Sequence, residues 1–320
     1  MRSSSIIIVG GKSKKDSTNV EVVKPNFGIK KLPNLPDVTE KSSMVIHDGS
    51  ILLCGGKKSQ QCLYYDHGTW KIHSSLNKPR YGAAIATTKT ATFIFGGGFD
   101  EEYSTTYEYL PKGSTIWQMG KTKIPIAIDD ASAIPVKSDQ EIWLIGGSFS
   151  RNVILCFSTK DHTFHELPSK LAVMRAGQRC EFIPNTNKII ITGGIDEEIN
   201  GFSSTEILDT KDGSTTMASP MNFKRAFHGI GILTINDEDR IVVFGGSVHD
   251  YFVEVYNAKM DKWELTEVEL KTNYLYVYGF LSTKLNVLAE ITQITKSCNY
   301  REVHNQSSLN YFCCKNSIEK

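Results

Sequence analysis

Short apolar runs that end in a pair of glycines recur six times along this chain. They read Ile6-Ile7-Ile8-Val9-Gly10-Gly11, Ile51-Leu52-Leu53-Cys54-Gly55-Gly56, Phe93-Ile94-Phe95-Gly96-Gly97, Ile142-Trp143-Leu144-Ile145-Gly146-Gly147, Ile189-Ile190-Ile191-Thr192-Gly193-Gly194 and Ile241-Val242-Val243-Phe244-Gly245-Gly246. The first glycines are 45, 41, 50, 47 and 52 residues apart, the spacing of a repeat architecture. Each run is short, rich in β-branched and aromatic residues and closed by glycine, so it predicts a strand. Apolar residues on both faces predict a strand buried on both sides.

A second, more polar strand follows most glycine pairs: Cys62-Leu63-Tyr64-Tyr65-Asp66, Thr106-Tyr107-Glu108-Tyr109, Thr205-Glu206-Ile207-Leu208-Asp209 and Val253-Glu254-Val255-Tyr256-Asn257. A polar turn then leads to Trp70, Trp117, Phe164, Met217 or Trp263. A further strand leads into the next apolar run, as in Ser43-Met44-Val45-Ile46 ahead of Ile51, where Asp48-Gly49 marks a tight hairpin. Gly82-Ala83-Ala84-Ile85-Ala86 is small and apolar, which suits an innermost strand at a crowded axis.

With its double glycines and spaced Tyr and Trp, the unit resembles the Kelch repeat, and the resemblance runs over nearly the whole chain. It implies an all-β propeller of 6–7 four-stranded blades, forming one domain over residues 1–320. In that reading the glycine pairs and Trp70, Trp117 and Trp263 are structural. Six glycine-pair repeats lie within 1–266, and 267–320 holds a degenerate seventh repeat or a closing strand plus tail. Glu302-Val303-His304-Asn305 echoes Glu254-Val255-Tyr256-Asn257, which favours seven repeats with the first lacking its inner strand. The competing closure pairs the strand at 274–281 with Ile6–Val9 to give six blades.

Charge changes the picture only by exclusion. Thirty-six basic residues balance 35 acidic ones, which speaks against a nucleic-acid or anionic-membrane surface. No apolar stretch approaches the roughly 18 residues of a membrane span, and no secretory h-region is visible. Seven cysteines at irregular spacing do not make a disulfide framework. Cys54, Cys62, Cys156 and Cys180 read as small core residues in a reducing compartment, hence a cytoplasmic protein, and it is expected to be a monomer. Cys313-Cys314 has no assigned role.

Arg80, Arg175 and Arg225 share one place, four residues after Leu76, Leu171 and Met221 and just before an inner strand. In Kelch adaptors of ubiquitin ligases, arginines at the propeller mouth bind acidic peptides, through a planar fork that suits carboxylates. The resemblance therefore implies a non-catalytic platform for a protein or acidic-peptide partner, using Arg80, Arg175, Arg225, Tyr81 and Tyr103, in an adaptor or actin context. The chain begins inside the first repeat, which leaves no room for an adaptor domain ahead of it. The other reading is that these arginines brace neighbouring blades.

An enzymatic alternative rests on single-domain Kelch proteins that act on sialic acid with arginines and carboxylates in the mouth. The matching residues here are Asp129, Asp130 and Glu181 beside the arginines. No cofactor or metal is expected: the loop Asp196-Glu197-Glu198 lacks the alternating pattern of calcium loops, the histidines are scattered, and there is no phosphate-cradling loop or Gly-x-Ser-x-Gly turn.

Overall fold

The computed structural model describes residues 4–9, 18–37, 40–98, 104–246, 252–269 and 279–284. The apolar runs and their neighbours form six antiparallel sheets of four strands, arranged as the blades of a propeller. Blade I contains β1 (Ser4–Val9), β2 (Val20–Val23) and β3 (Ile29–Leu32). Blade II is β4 (Ser43–His47), β5 (Ser50–Cys54), β6 (Gln61–Asp66) and β7 (Thr69–Ser75). Blade III is β8 (Ala84–Thr87), β9 (Ala91–Phe95), β10 (Tyr107–Pro111) and β11 (Gln118–Met119). Blade IV is β12 (Ser132–Val136), β13 (Glu141–Ile145), β14 (Ile154–Ser158) and β15 (Phe164–Glu166). Blade V is β16 (Arg179–Phe182), β17 (Lys188–Thr192), β18 (Thr205–Asp209) and β19 (Thr215–Ala218). Blade VI is β20 (Gly229–Ile235), β21 (Glu238–Phe244), β22 (Phe252–Asn257) and β23 (Lys262–Glu269).

The ring closes on blade I. β24 (Gly279–Lys284) lies antiparallel to β1, with Val9 opposite Gly279 and Ser4 opposite Lys284. Of the two closures the sequence leaves open, the described residues take the six-blade one. The reason is the edge: without β24, β1 would present unpaired backbone groups at the axis. The echo at 302–305 lies outside the described residues.

The glycine-ended runs are the second strands of the blades, and their side chains fill the clusters between neighbouring blades. Ile7, Val9, Met44, Ile51, Leu53 and Tyr65 share one such cluster. Phe93, Phe95, Tyr107, Leu144 and Phe157 share another. The tryptophans tie outer strands to adjacent links: Trp70 Nε1 donates to the Pro33 carbonyl at 3.0 Å and Trp263 Nε1 to that of Ser219 at 3.1 Å. Trp117 Nε1 donates to Ser74 Oγ at 3.1 Å.

The glycine pairs join one blade to the next. The second glycine donates its N–H to the carbonyl at the arginine position of the following blade: Gly56 to Arg80 (2.7 Å), Gly97 to Ile128 (2.8 Å), Gly147 to Arg175 (3.0 Å) and Gly194 to Arg225 (2.8 Å). The first glycine leaves room for that approach. Gly96 sits at φ 64°, and a Cβ there would run into the Ile128 carbonyl.

One cysteine expectation is corrected. Cys54 and Cys62 are cross-strand partners on β5 and β6, with Cα atoms 4.1 Å apart, and are joined by a disulfide. Spacing along the chain hid a pairing that the hairpin register creates. The bond removes them as evidence for a reducing compartment. Cys156 and Cys180 are free and buried. No helix among the described residues is long and apolar enough to cross a membrane.

Candidate functional site

The arginines expected at the mouth are not available to a partner. Arg80, Arg175 and Arg225 are at most 2% exposed. Each forms an ion pair with a fully buried glutamate on the third strand of its own blade: Arg80 with Glu108 (3.0 Å), Arg175 with Glu206 (2.7 Å) and Arg225 with Glu254 (2.9 Å). Each also donates to the carbonyl of a first glycine: Gly96 at 2.5 Å, Gly193 at 2.7 Å and Gly245 at 2.6 Å. The glutamates use their remaining capacity on link N–H groups, as Glu108 does with Asn77 at 2.7 Å and Glu206 with Ala172 at 2.7 Å. These are bracing units, and the partner-binding role expected for them is corrected by their burial. Blade IV lacks both members at once: Ile128 and Leu155 take the two places and pack in one apolar cluster.

Two residues after each arginine position, the chain turns into the channel. There the described backbone forms an arc, a partial hoop. Gly82 N donates to the Lys41 carbonyl (2.9 Å), Asp130 N to Gly82 (2.8 Å), Gly177 N to Asp130 (3.0 Å) and Phe227 N to Gly177 (2.8 Å). All five residues are left-handed, with φ between 53° and 67°. That conformation is costly for Lys, Asp and Phe, by about 1–3 kcal/mol each, and such costs cluster at functional sites.

The side chains on this hoop meet. Lys41 Nζ lies 2.7 Å from Asp130 Oδ2. The same ammonium is 5.1 Å from the Phe227 ring centroid and 5.6 Å from that of Tyr81. Gly82 makes the gap: a Cβ there would collide with Oδ1 of both Asp129 and Asp130. Asp129 is 7% exposed, and its Oδ1 has no hydrogen-bond partner among the described residues. Burial, with the Asp130 charge beside it, pushes the Asp129 carboxyl up to about 7. Burial works against the Lys41 ammonium, but Asp130 outweighs it and holds the pKa above the usual value.

Below the hoop, the innermost strands β4, β8, β12 and β16 enclose a channel of about 580 Å³, with Arg179 and Glu181 on its wall. Arg179 Nε donates to the His228 carbonyl at 3.0 Å, and burial lowers its pKa. Burial pushes Glu181 up to about 7, against one hydrogen bond from the Phe182 N–H at 2.9 Å.

Of the residues singled out in the sequence, the structure brings Asp130 and Glu181 to the channel, sets Asp129 and Tyr81 beside Gly82 and Lys41 at its mouth, and removes Arg80, Arg175 and Arg225 from it. Tyr103, Gly10 and Gly11 lie outside the described residues. Sequence reasoning missed Lys41, Arg179 and Phe227. The available signal was register: Lys41, Gly82, Asp130, Gly177 and Phe227 occupy one repeat position.

No protein-family model matches the chain, and no curated protein matches it by sequence. Among solved structures, that of YjhT is similar, with a TM-score of 0.58 and 13% identity, covering 67% of this chain and 75% of that one. Likeness at that identity speaks to fold alone, and together with the six four-stranded sheets it makes this chain a six-bladed β-propeller.

Proposed function

We propose that the channel mouth binds a small polyhydroxylated ligand and that the chain is a sugar-processing propeller of the Kelch type. The observation that carries this reading is a channel lined by Asp130, Arg179 and Glu181, with the buried Asp129 carboxyl at the Gly82 gap of its mouth; burial pushes Asp129 and Glu181 up to about 7. Groups poised near the working pH suit proton transfer. The volume of about 580 Å³ falls in the range of small-ligand sites. In this reading Asp129 supplies a proton, Glu181 accepts one, Arg179 takes an anionic or polar substituent, and the rings of Tyr81 and Phe227 cover an apolar sugar face. The Kelch assignment draws on the glycine pairs, the Trp anchors and the Arg–Glu braces.

The test is ligand-observed NMR with a panel of neutral and acidic monosaccharides. It is followed by exchange of carbon-bound protons with deuterated solvent. We expect one sugar to bind and exchange, with exchange lost in Asp129→Asn and Glu181→Gln while melting is kept. Absence of binding across the panel would sink the reading.

A second reading, a protein-interaction platform, has its own support. Phe149, Met174 and Ile199 stand 39%, 53% and 77% exposed on the loops and links of blades IV and V. Arg151 and Glu197 pair between the same loops at 2.5 Å. A partner held there would be lost on Met174→Ser with Ile199→Ser and would tolerate Asp129→Asn.

A further inference from the structure

The Asp129–Asp130 pair is asymmetric in a way the sugar-processing reading does not require. Lys41 is bonded to one carboxyl only, through Asp130 Oδ2 at 2.7 Å. The other, Asp129, has an unpartnered Oδ1 among the described residues and is more than nine-tenths buried. Both Oδ1 atoms converge on the space above Gly82, which any side chain there would fill. The groups facing the pair come from four links and strands: Lys41 ahead of β4, Tyr81 ahead of β8, Phe227 ahead of β20 and Arg179 at the head of β16.

We propose that Lys41, Asp129 and Asp130 form one proton-holding unit, in which Lys41 fixes the negative charge on Asp130 and Asp129 carries the proton presented at the Gly82 gap. Two adjacent carboxyls in a desolvated site do not ionise together, and an ammonium on one decides which keeps the proton. The Asp129 position pushed up to about 7 agrees with this assignment. When a ligand oxygen takes that proton, the O–H electron pair stays on Asp129, and solvent later reprotonates it. Lys41 is thus a positioning residue that acts through Asp130. The inference rests on the channel mouth being the working site but not on any particular ligand.

The measurement is a 13C NMR titration of aspartate carboxyls in the intact chain, with Asp129 assigned by its loss in Asp129→Asn. We expect a midpoint near 7 in the parent. Asp130→Asn removes the like charge and should lower that midpoint. Lys41→Met removes the counter-charge and should raise it. Shifts of about one pH unit or more are the scale for charges in contact. A parent midpoint in the ordinary carboxylate range, about 4, or a midpoint unmoved by both substitutions, overturns the proposal. The parent titration stands even where a variant fails to fold. Opposite shifts with no sugar binding would leave the unit standing and sink the sugar reading. Sugar turnover with an ordinary Asp129 titration would do the reverse.

Discussion

At the scale of single residues, the decisive distinction is between an arginine that faces a partner and one that faces a glutamate. Arg80 spends its guanidinium on Glu108, the Gly96 carbonyl and the Thr106 backbone and side chain. Removing one member of such a pair leaves a buried charge uncompensated, a cost of about 3–5 kcal/mol. We therefore expect Arg80→Ala to lower stability by that order in denaturant titration. Arg80→Ile with Glu108→Leu should cost less than the sum of the single changes, because blade IV already carries Ile and Leu at those places. A strictly additive double-mutant cycle would contradict the pairing. The arginines were legible in the sequence, but their burial was not. The missing clue is joint: blades III, V and VI hold both charges, and blade IV holds neither.

At the scale of elements, the strands were legible because glycine pairs end buried apolar runs, and that signal is local. What closes the ring was not, because β1 and β24 are separated by nearly the whole chain and share no motif. The outer echo at 302–305 pointed toward a seventh repeat, while the cost of an unpaired inner edge pointed toward six. The edge argument agrees with the observed pairing of Ile6 with Ser282 and Ile8 with Phe280. A chain ended before Gly279 should melt at a lower temperature and expose β1 to early hydrogen exchange. Unchanged protection of the Ile6–Val9 amides would argue against this closure. The Cys54–Cys62 bond was hidden for a related reason, since eight residues of spacing say nothing until the hairpin register is known.

At the scale of the whole molecule, burial of ionisable groups ties stability to pH in two opposing directions. Asp129 and Glu181 stand raised to about 7, so the folded state binds more protons than the unfolded one. Their contribution is complete in acid and is lost as pH rises through about 7. His47, buried beside Thr92, is pushed down to about 4, so its contribution is present above the usual histidine range and is lost as pH falls toward 4. Both changes fall between about pH 4 and pH 7, so melting followed across that window reports the difference between the two slopes. Asp129→Asn removes one falling contribution and should shift the change in stability between pH 4 and pH 7 upward by an amount on the order of 4 kcal/mol. A pH 4 to 7 profile unchanged in that variant would contradict the burial of the charge.

The hoop around the channel carries a consequence for how such a molecule diversifies. Its five described positions are joined by main-chain bonds, so that run of bonds does not itself require particular side chains. Reading round it, a long cation, a vacancy, a carboxylate, a vacancy and an aromatic ring alternate: Lys41, Gly82, Asp130, Gly177, Phe227. The mouth is thus a keyring with interchangeable teeth. Trading a tooth would recut the opening for another molecule while the blades stay as they are, whereas Gly82 and Gly177 must stay bare because a Cβ there would strike the Asp129 and Asp130 carboxyls or the Phe227 ring.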